Sequence, residues 1–140
     1  MKAGTDRVGV GVGVVVRDGD GRVFLAQRGP QARNERGSWE FPGGEVGYGE
    51  TLEDAVRREL AEEYGMAVEI TGQLGAFDHI LPAEGQHWVS VAYLARDAGG
   101  EPTIREPGKC SQIGWFDLDA LPEPLSAISV ANLRRLREIG

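Results

Sequence analysis

The sequence predicts an α/β (α+β) fold in which a mixed β-sheet packs against helices. Segments rich in valine and aromatic residues lie on both sides of a central amphipathic segment, and a second amphipathic segment ends the chain. The 140 residues have the length of one ordinary domain and contain no repeat or linker, so residues 1–140 are expected to form a single domain. Twenty-one glycines without a collagen-like period indicate many tight turns.

The N-terminal segment predicts a β-hairpin. Val8–Arg17 is rich in valine and ends at the turn sequence Asp18–Gly21, after which Val23–Arg28 again has the composition of a strand. The next three segments are predicted to be a polar loop, a short strand and a sharp turn: Gly29–Ser38, Trp39–Phe41 and Pro42–Gly44.

A central helix is predicted over Thr51–Tyr64. Thr51 followed by Asp54 resembles a capping box, with Asp in place of the usual Glu or Gln, and Gly65 ends the helix. In the terminal helix, four residues at helical spacing predict the buried face: Ile128, Leu133, Leu136 and Ile139. The elements predicted after the central helix are two strands that pair across a loop, a further short strand and the terminal helix: Val68–Ile80, Trp88–Arg96, Gln112–Phe116 and Ser126–Ile139.

Charge and cysteine content exclude several classes of protein. Fifteen basic and twenty-two acidic residues give a net charge of −7, which does not suit an electrostatic grip on nucleic acid. The single cysteine, Cys110, allows no intrachain disulfide and no cysteine-based zinc site, and it fits a reducing cytosol. The apolar run Val8–Val16 is too short to cross a bilayer. We therefore expect a cytoplasmic protein with no nucleic-acid and no membrane partner.

Three glutamates of the central helix form the first candidate site. At about 100° per residue from Leu52, Glu59 falls at ~340° and Glu63 at ~20°, on the apolar stripe, while Glu62 flanks them at ~280°. The alternative is a solvated acidic face, but such a face would lie near Glu53. Partly buried carboxylates need a partner, and clustered hard oxygen ligands are what Mg²⁺ or Mn²⁺ selects.

A glycine-rich run precedes this helix. It extends from Phe41 to Glu50 and includes Gly43, Gly44, Gly47 and Gly49. Glycines allow a ligand to approach the backbone closely, and the run leads to a helix N-terminus, where free N–H groups favour anions. The run and the glutamates together predict a site for a metal ion and a phosphate group.

These residues together resemble the signature of the Nudix hydrolases. The resemblance spans the 23 residues from Gly44 to Met66 and fills each required position. It implies a Nudix-like α/β/α sandwich and a hydrolase that uses Mg²⁺ or Mn²⁺ to cleave nucleoside diphosphates linked to another group. The matching positions are Gly44, Glu50, Arg58, Glu59, Leu60, Glu62, Glu63, Gly65 and Met66.

The resemblance also implies roles for individual residues. Arg58 and Glu50 match a pair that holds the loop against the helix and orients a ligand carboxylate. Glu106 is a candidate for a further acidic ligand or base from a loop, with Glu101 as the alternative. The implied metal ligands are the carbonyl of Gly43 and the carboxylates of Glu59, Glu62 and Glu63. Side-chain chemistry, apart from the resemblance, adds candidate substrate contacts, because aromatic faces can stack on a base and histidines can contact phosphate or base. With Gly44, these candidates are Trp39, Phe41 and His87, and further candidates are Phe77, His79 and Trp88.

The substrate is expected to be a small-molecule nucleotide. Residues 87–121 look like the MutT-type nucleoside triphosphate pyrophosphohydrolases, which implies cleavage of an NTP or dNTP to the monophosphate and pyrophosphate. Pro82, which lies 16 residues beyond Met66, is instead similar to a feature of ADP-ribose pyrophosphatases. A non-catalytic nucleotide-binding regulatory domain is the alternative of a different class. A homodimer remains an alternative to a monomer.

Overall fold

Seven strands and two α-helices account for the regular structure of the computed structural model, which describes residues 1–139. A 3₁₀ turn, Pro82–Glu84, connects the fifth and sixth strands. The elements in chain order are β1 Gly9–Arg17, β2 Val23–Arg28, β3 Trp39–Glu40, β4 Gly43–Glu45, α1 Leu52–Tyr64, β5 Ala67–Leu81, β6 Gln86–Gly99, β7 Cys110–Phe116 and α2 Ala127–Ile139.

The strands form one mixed sheet in the order β3-β2-β1-β6-β5, with β4 also paired to β1 and β7 to β2. The β1–β6 pair is parallel and the others are antiparallel. The predicted hairpin is present, since β1 and β2 pair at Arg17 and Val23. Farther along, β2 pairs with β3 and β1 with β4. The sharp turn predicted at Pro42–Gly44 is therefore wrong, because Gly43 and Gly44 extend along β1.

The sheet is covered by a helix on each face. Alternate residues of β1 point to opposite sides: Val14 joins the cluster that contains Leu60 of α1, and Val15 joins the cluster that contains Leu136 of α2. This arrangement confirms the predicted fold class, a mixed sheet packed between helices. Neither helix among residues 1–139, at 13 residues each, is long and apolar enough to cross a membrane.

The ends of α1 agree with the sequence. The Oγ1 atom of Thr51 accepts a hydrogen bond from the Asp54 N–H at 3.2 Å. Gly65 ends the helix in the left-handed conformation, with φ of 68°, and its N–H donates to the Ala61 carbonyl. The central helix predicted over Thr51–Tyr64 is thus confirmed, with Thr51 as its N-cap.

The buried face of α2 differs from the prediction. Ile139 is 50% exposed, whereas Ser129, Asn132 and Leu136 are buried. The hydroxyl of Ser129 accepts a hydrogen bond from the Phe41 N–H at 3.1 Å and lies 2.8 Å from the hydroxyl of Ser126. The backbone of the segment before β4 needs this acceptor, so α2 turns a partly polar face toward the sheet.

Candidate active site

A cavity of about 450 Å³ lies along β4 and extends between elements of both faces of the sheet. Its volume is typical of a site for a small molecule. Its acidic lining comes from four different parts of the chain: Glu40 from β3, Glu45 from β4, Glu63 from α1 and Glu106 from the loop before β7.

The glutamates of α1 differ in burial as the helical stripe predicts. The side chain of Glu59 is 14% exposed, against 62% for Glu62. Glu63 is half-buried and lies among the residues that line the cavity. Leu60, on the same two turns of α1, is fully buried in the core. Its burial keeps the neighbouring Glu59 and Glu63 close to the core although they are acidic.

The two glycines of β4 create the space for these carboxylates. A Cβ atom on Gly44 would overlap the carboxyl group of Glu59, and one on Gly43 would overlap the carbonyl oxygen of Val12. Glycine at both positions therefore lets β4 lie directly against β1 and lets Glu59 lie against the backbone of β4. Glu59 in turn is hydrogen-bonded to Glu63, which lines the cavity.

Arg58 fixes the loop between β4 and α1. Its Nε donates to Glu50 Oε2 at 2.6 Å, and one Nη donates to Glu50 Oε1 at 2.9 Å and to the Glu45 carbonyl at 3.0 Å. The other Nη donates to Glu59 Oε1 at 3.0 Å. The N–H of Gly47 donates to Glu50 at 3.0 Å. The hydrogen bonds from Arg58 and Gly47 lower the pKa of Glu50 to about 2, so this clamp stays ionised.

Burial and mutual repulsion perturb the inner carboxyl groups. Burial, the charge of Glu59 and a hydrogen bond between the two carboxyl groups together raise the pKa of Glu63 to about 8, with burial as the largest cause. Burial also raises the pKa of Glu59, while hydrogen bonds from Glu63 and Arg58 oppose the rise. The metal-free pair therefore holds a proton near neutral pH. Elevated pKa values of this kind are typical of functional sites.

The same carboxyl groups fit a divalent cation. Their oxygens are hard ligands, Gly44 leaves room beside them, and a cation would replace the shared proton as the compensating charge. Within residues 1–139, no three Asp, Glu, His or Cys side chains are already arranged as a complete metal site.

Glu106 lines the same cavity from the loop before β7. Its carboxylate forms an ion pair with Lys109 at 3.2 Å, and its charge is one of the causes that raise the pKa of Glu63. Its backbone carbonyl accepts hydrogen bonds from the N–H groups of Lys109 and Cys110, both at 3.0 Å. Glu101, the alternative considered from the sequence, is exposed and lies outside the cavity lining.

The comparison with known protein families identifies this arrangement. The NUDIX domain model matches residues 7–136 of the chain. The chain belongs to the Nudix family. The residues of its signature are those that build the Arg58 clamp, the Gly44 contact and the carboxylate pair, and its homologues are enzymes that act on phosphoric anhydride bonds.

This Nudix domain is similar to proteins from a human, a Caulobacter and a Burkholderia source. The human 8-oxo-dGDP phosphatase NUDT18 is 33% identical over 122 residues, which are 81% of this chain and 36% of the human protein. The RNA pyrophosphohydrolase of Caulobacter vibrioides is 52% identical over 128 residues, 80% of this chain and 73% of that protein. The crystal structure of a MutT NUDIX hydrolase from Burkholderia pseudomallei has a TM-score of 0.86 and 40% identity, covering 94% of this chain and 99% of that one. The chain spans about a third of the length of the human relative.

The predicted substrate contacts separate into two groups. Gly44 and Phe41 line the cavity of this Nudix domain. Trp39 does not: it is buried, and its ring packs edge-on against Phe116 at 5.3 Å in the core beside α2. His87 also lies elsewhere, since it borders a separate surface depression near the 3₁₀ turn, and its N–H donates to the Gly4 carbonyl.

Strand alternation explains where Trp39 and His87 lie. Neighbouring residues of a strand point to opposite faces, so Glu40 faces the cavity and Trp39 faces away from it. On β6, Trp88 lines the cavity and His87 does not, for the same reason.

Arg28, Glu40 and Asn132 line the cavity but were not selected from the sequence. Arg28 donates to Glu40 Oε1 at 2.9 Å, and this pairing offsets part of the burial that raises the pKa of Glu40. A period of two along β2 places Arg28 on the same face as Ala26, which could have indicated its position. Asn132 could have been found as a polar residue on the stripe that contains Ser129 and Leu136.

Cys110 also lines the cavity, without the character of a nucleophile. Burial raises the pKa of its thiol to about 11. Because the thiolate is the reactive form, the neutral thiol at physiological pH is unsuited to attack on phosphorus or carbon.

Proposed function

We propose that this protein is a metal-dependent pyrophosphohydrolase that converts a nucleoside or deoxynucleoside triphosphate to the monophosphate and pyrophosphate. The observation that carries the proposal is the half-buried, hydrogen-bonded pair of Glu59 and Glu63. Glu59 lies against the backbone of Gly44, and Glu63 lines a cavity of nucleotide size. Two adjacent carboxyl groups beside the core are costly unless a cation binds them.

The residues that would hold Mg²⁺ or Mn²⁺ are the carboxylates of Glu59, Glu62 and Glu63 and the carbonyl of Gly43, with Glu106 as a further ligand or as the proton acceptor. When bound, the metal lowers the pKa of a coordinated water and neutralises charge on the phosphates. Arg58 holds Glu59 in position through the hydrogen bond at 3.0 Å, and Glu50 holds Arg58 through two. We therefore assign Arg58 and Glu50 to positioning and the three helix glutamates to metal binding.

A 5′-triphosphorylated RNA end is the second candidate substrate. It is favoured by the 52% identity to a protein named RNA pyrophosphohydrolase, and the bond to be cleaved has the same chemistry as in a nucleoside triphosphate. The net charge of −7 disfavours a long RNA footprint, so recognition would be confined to the 5′ end.

Pro82, the residue that favoured an ADP-ribose substrate, does not line the cavity. Pro82 lies in the 3₁₀ turn and borders the separate depression near His87. The regulatory-domain alternative is disfavoured because the carboxylates of the signature are all present and one of them, Glu63, lines the cavity.

The test is hydrolysis with Mg²⁺ of a substrate panel that includes the common nucleoside triphosphates, 8-oxo-dGDP, ADP-ribose and a short 5′-triphosphorylated RNA. We expect a triphosphate to have the highest kcat/KM and to release pyrophosphate. Efficient release of AMP and ribose 5-phosphate from ADP-ribose would overturn the assignment. Efficient hydrolysis of the RNA alone would favour the second candidate.

A matched pair of variants tests the site itself. Glu63→Gln removes one charge at constant volume, and we expect kcat/KM to fall on the order of 10²-fold, because a metal ligand is lost. Glu53→Gln is the control: Glu53 lies on the exposed face of α1 and pairs with Arg57 at 3.4 Å, so kcat/KM should stay within about twofold. Equal activity of the two variants would contradict the carboxylate assignment.

A further inference from the structure

The loop between β6 and β7, residues 100–109, is attached to the C-terminal end of α1. The Thr103 N–H donates a hydrogen bond to the Tyr64 carbonyl at 3.0 Å. A Cβ atom on Gly100 would overlap the carbonyl oxygen of Gly65, so the backbone of the loop lies directly against the residue that ends the helix. The first half of the loop is therefore fixed to α1.

Arg105 adds a side chain to this attachment. A Cβ atom built on Gly65 would stand 2.6 Å from Nη2, 3.2 Å from Cζ and 3.4 Å from Nε of Arg105. The guanidinium group therefore lies directly against the backbone of Gly65, in the space that a side chain at this position would need. Glycine at position 65 allows this contact and also the φ of 68° that ends the helix.

The positive charge of Arg105 suits this place. The sequence of the last turn of α1, Ala61–Tyr64, contains Glu62 and Glu63 and no basic residue. The carbonyl end of a helix has a partial negative charge, which a cation near the last turn offsets. Arg105 supplies a cation from the loop, so electrostatic attraction favours its contact with the end of α1 as well as packing.

The other end of the loop is attached to the segment between β2 and β3. The Gly29 N–H donates to the Lys109 carbonyl and the Gln31 N–H donates to the Gly108 carbonyl, both at 2.8 Å. A Cβ atom on Gly29 would overlap the carbonyl oxygen of Gly108, so the two backbones are in close contact. Glu106 therefore lies between two attachment points of one loop.

The Glu106 carboxylate acts on α1 from this position. Glu106 and Glu63 both line the cavity, and the charge of Glu106 is one of the causes that raise the pKa of Glu63. The backbone carbonyl of Glu106 accepts hydrogen bonds from the N–H groups of Lys109 and Cys110, both at 3.0 Å. Because this turn restricts the backbone of Glu106, a shift of the loop at Arg105 would move the Glu106 carboxylate relative to Glu63.

We propose that Arg105, through its contact with Gly65, is a positioning residue that holds the Glu106 carboxylate at a fixed place relative to Glu63. The inference rests on the proposed function, in which Glu106 is a further metal ligand or the proton acceptor. Arg105 lies outside the cavity lining, so it acts through Glu106 and not on the substrate. A displacement of about 1 Å at a catalytic group is enough to lower the rate strongly.

The kinetic test is a double-mutant cycle of Arg105→Met and Glu106→Gln, measured on the nucleotide of the substrate panel that wild type hydrolyses best. Methionine keeps most of the length of the side chain and removes its charge. We expect each single variant to lower kcat at least about tenfold, with KM within about twofold of wild type. In the Glu106→Gln background, Arg105→Met should lower kcat by less than about twofold, because the group that it positions is already lost.

A purely structural role of Arg105 gives a different result. A folding defect would lower kcat by the same factor in the wild-type and Glu106→Gln backgrounds. Losses that multiply in the double variant, wild-type kcat in either single variant, or a loss confined to KM overturns the inference. Arg96→Met is the matched control: Arg96 is 64% exposed and pairs with Glu69 at 2.7 Å on the β5–β6 hairpin, so its loss should leave kcat unchanged.

Hydrogen exchange of the metal-free protein tests the attachment without any substrate. The N–H groups of Thr103, Lys109 and Cys110 form hydrogen bonds within or at the base of the loop. We expect them to exchange at least about threefold faster in Arg105→Met than in wild type, because the loop opens more often without the side-chain contact. In Arg96→Met they should exchange at the wild-type rate. Equal exchange in Arg105→Met and wild type overturns the inference.

The two measurements separate failure of this inference from failure of the proposed function. If wild type releases no pyrophosphate from any triphosphate, the proposed function fails, and the cycle is measured on the nucleotide that it does hydrolyse. If wild type hydrolyses none, exchange alone decides: faster exchange in Arg105→Met supports the attachment and equal exchange overturns it. If triphosphates are hydrolysed but the losses multiply in the cycle, only the inference about Arg105 fails.

Discussion

Replacing Gly44 by alanine tests the contact between β4 and the carboxyl group of Glu59. The three nearest neighbours of a Cβ atom built on Gly44 all belong to that carboxyl group. Gly44 is not among the glycines with positive φ, so alanine adds no backbone strain there. The carboxyl group must move on the order of 1 Å to reach an ordinary contact distance, and a displacement of this size at a catalytic centre costs about 10²-fold in rate. We therefore expect kcat/KM to fall by this factor.

The fold should survive this substitution. Only the end of a flexible side chain has to move, and the hydrogen bond from Arg58 to Glu59 at 3.0 Å is the main contact at risk. The expected loss of stability is about 1 kcal/mol, the net contribution of one hydrogen bond. Gly43→Ala should behave differently, because its Cβ would overlap the carbonyl of Val12 and force β4 away from β1. We expect that variant to lose about 3 kcal/mol or more, as overpacked sites do.

The measurement combines steady-state hydrolysis with denaturant unfolding of each variant. Gly47→Ala is the matched control, since its Cβ would stand 3.5 Å from Glu50 Oε1, in ordinary contact, and it should keep wild-type activity. Wild-type kcat/KM for Gly44→Ala would refute the reasoning. So would a loss of stability in that variant as large as the loss in Gly43→Ala.

The remaining predictions concern pH and metal. Because the folded-state pKa of Glu63 is about 8, above its ordinary value of 4.5, the metal-free protein should lose stability as pH rises from about 4.5 through 8. Melts of Glu63→Gln should lack this loss, and a loss of the same size in the variant would contradict it. Glu50 has the opposite sign: its pKa of about 2 makes its contribution disappear as pH falls from 4.5 through 2, so Glu50→Gln should flatten the acid limb of the same melts. EDTA should abolish hydrolysis and excess Mg²⁺ should restore it, whereas activity that survives exhaustive chelation would refute the metal requirement.

The elements that the sequence predicted well are those with strong local signals. The cap at Thr51 and the left-handed Gly65 delimit α1 independently of the rest of the fold. Valines that alternate along β1 point to the two faces of the sheet, so β1 contributes to both hydrophobic clusters. The segment Pro42–Gly44 was mispredicted because its glycines are required by a contact with another strand and not by a turn. Gly43 must pass close to the carbonyl of Val12, where a side chain would not fit. Composition does not distinguish a glycine needed for a turn from a glycine needed for close contact between two strands.

The candidate site was predictable where it follows one helix. Spacing along α1 placed Glu59 and Glu63 beside the core without reference to any other element. The other wall of the cavity depends on which strand faces which helix, and this is decided by long-range pairing. Trp39 and His87 were chosen for residue type alone, and each lies on the face of its strand that points away from the cavity.

Two features beside the cavity share a physical property that links stability to function. In the metal-free protein, Glu59 and Glu63 hold a proton because burial and mutual repulsion disfavour two charges. At Asn132, the amide N–H is buried without a partner within residues 1–139. Each feature destabilises the free protein, and a ligand that pairs with it would remove that cost. A protein selected for stability alone would replace both, so their occurrence beside one cavity is what a ligand-binding site predicts.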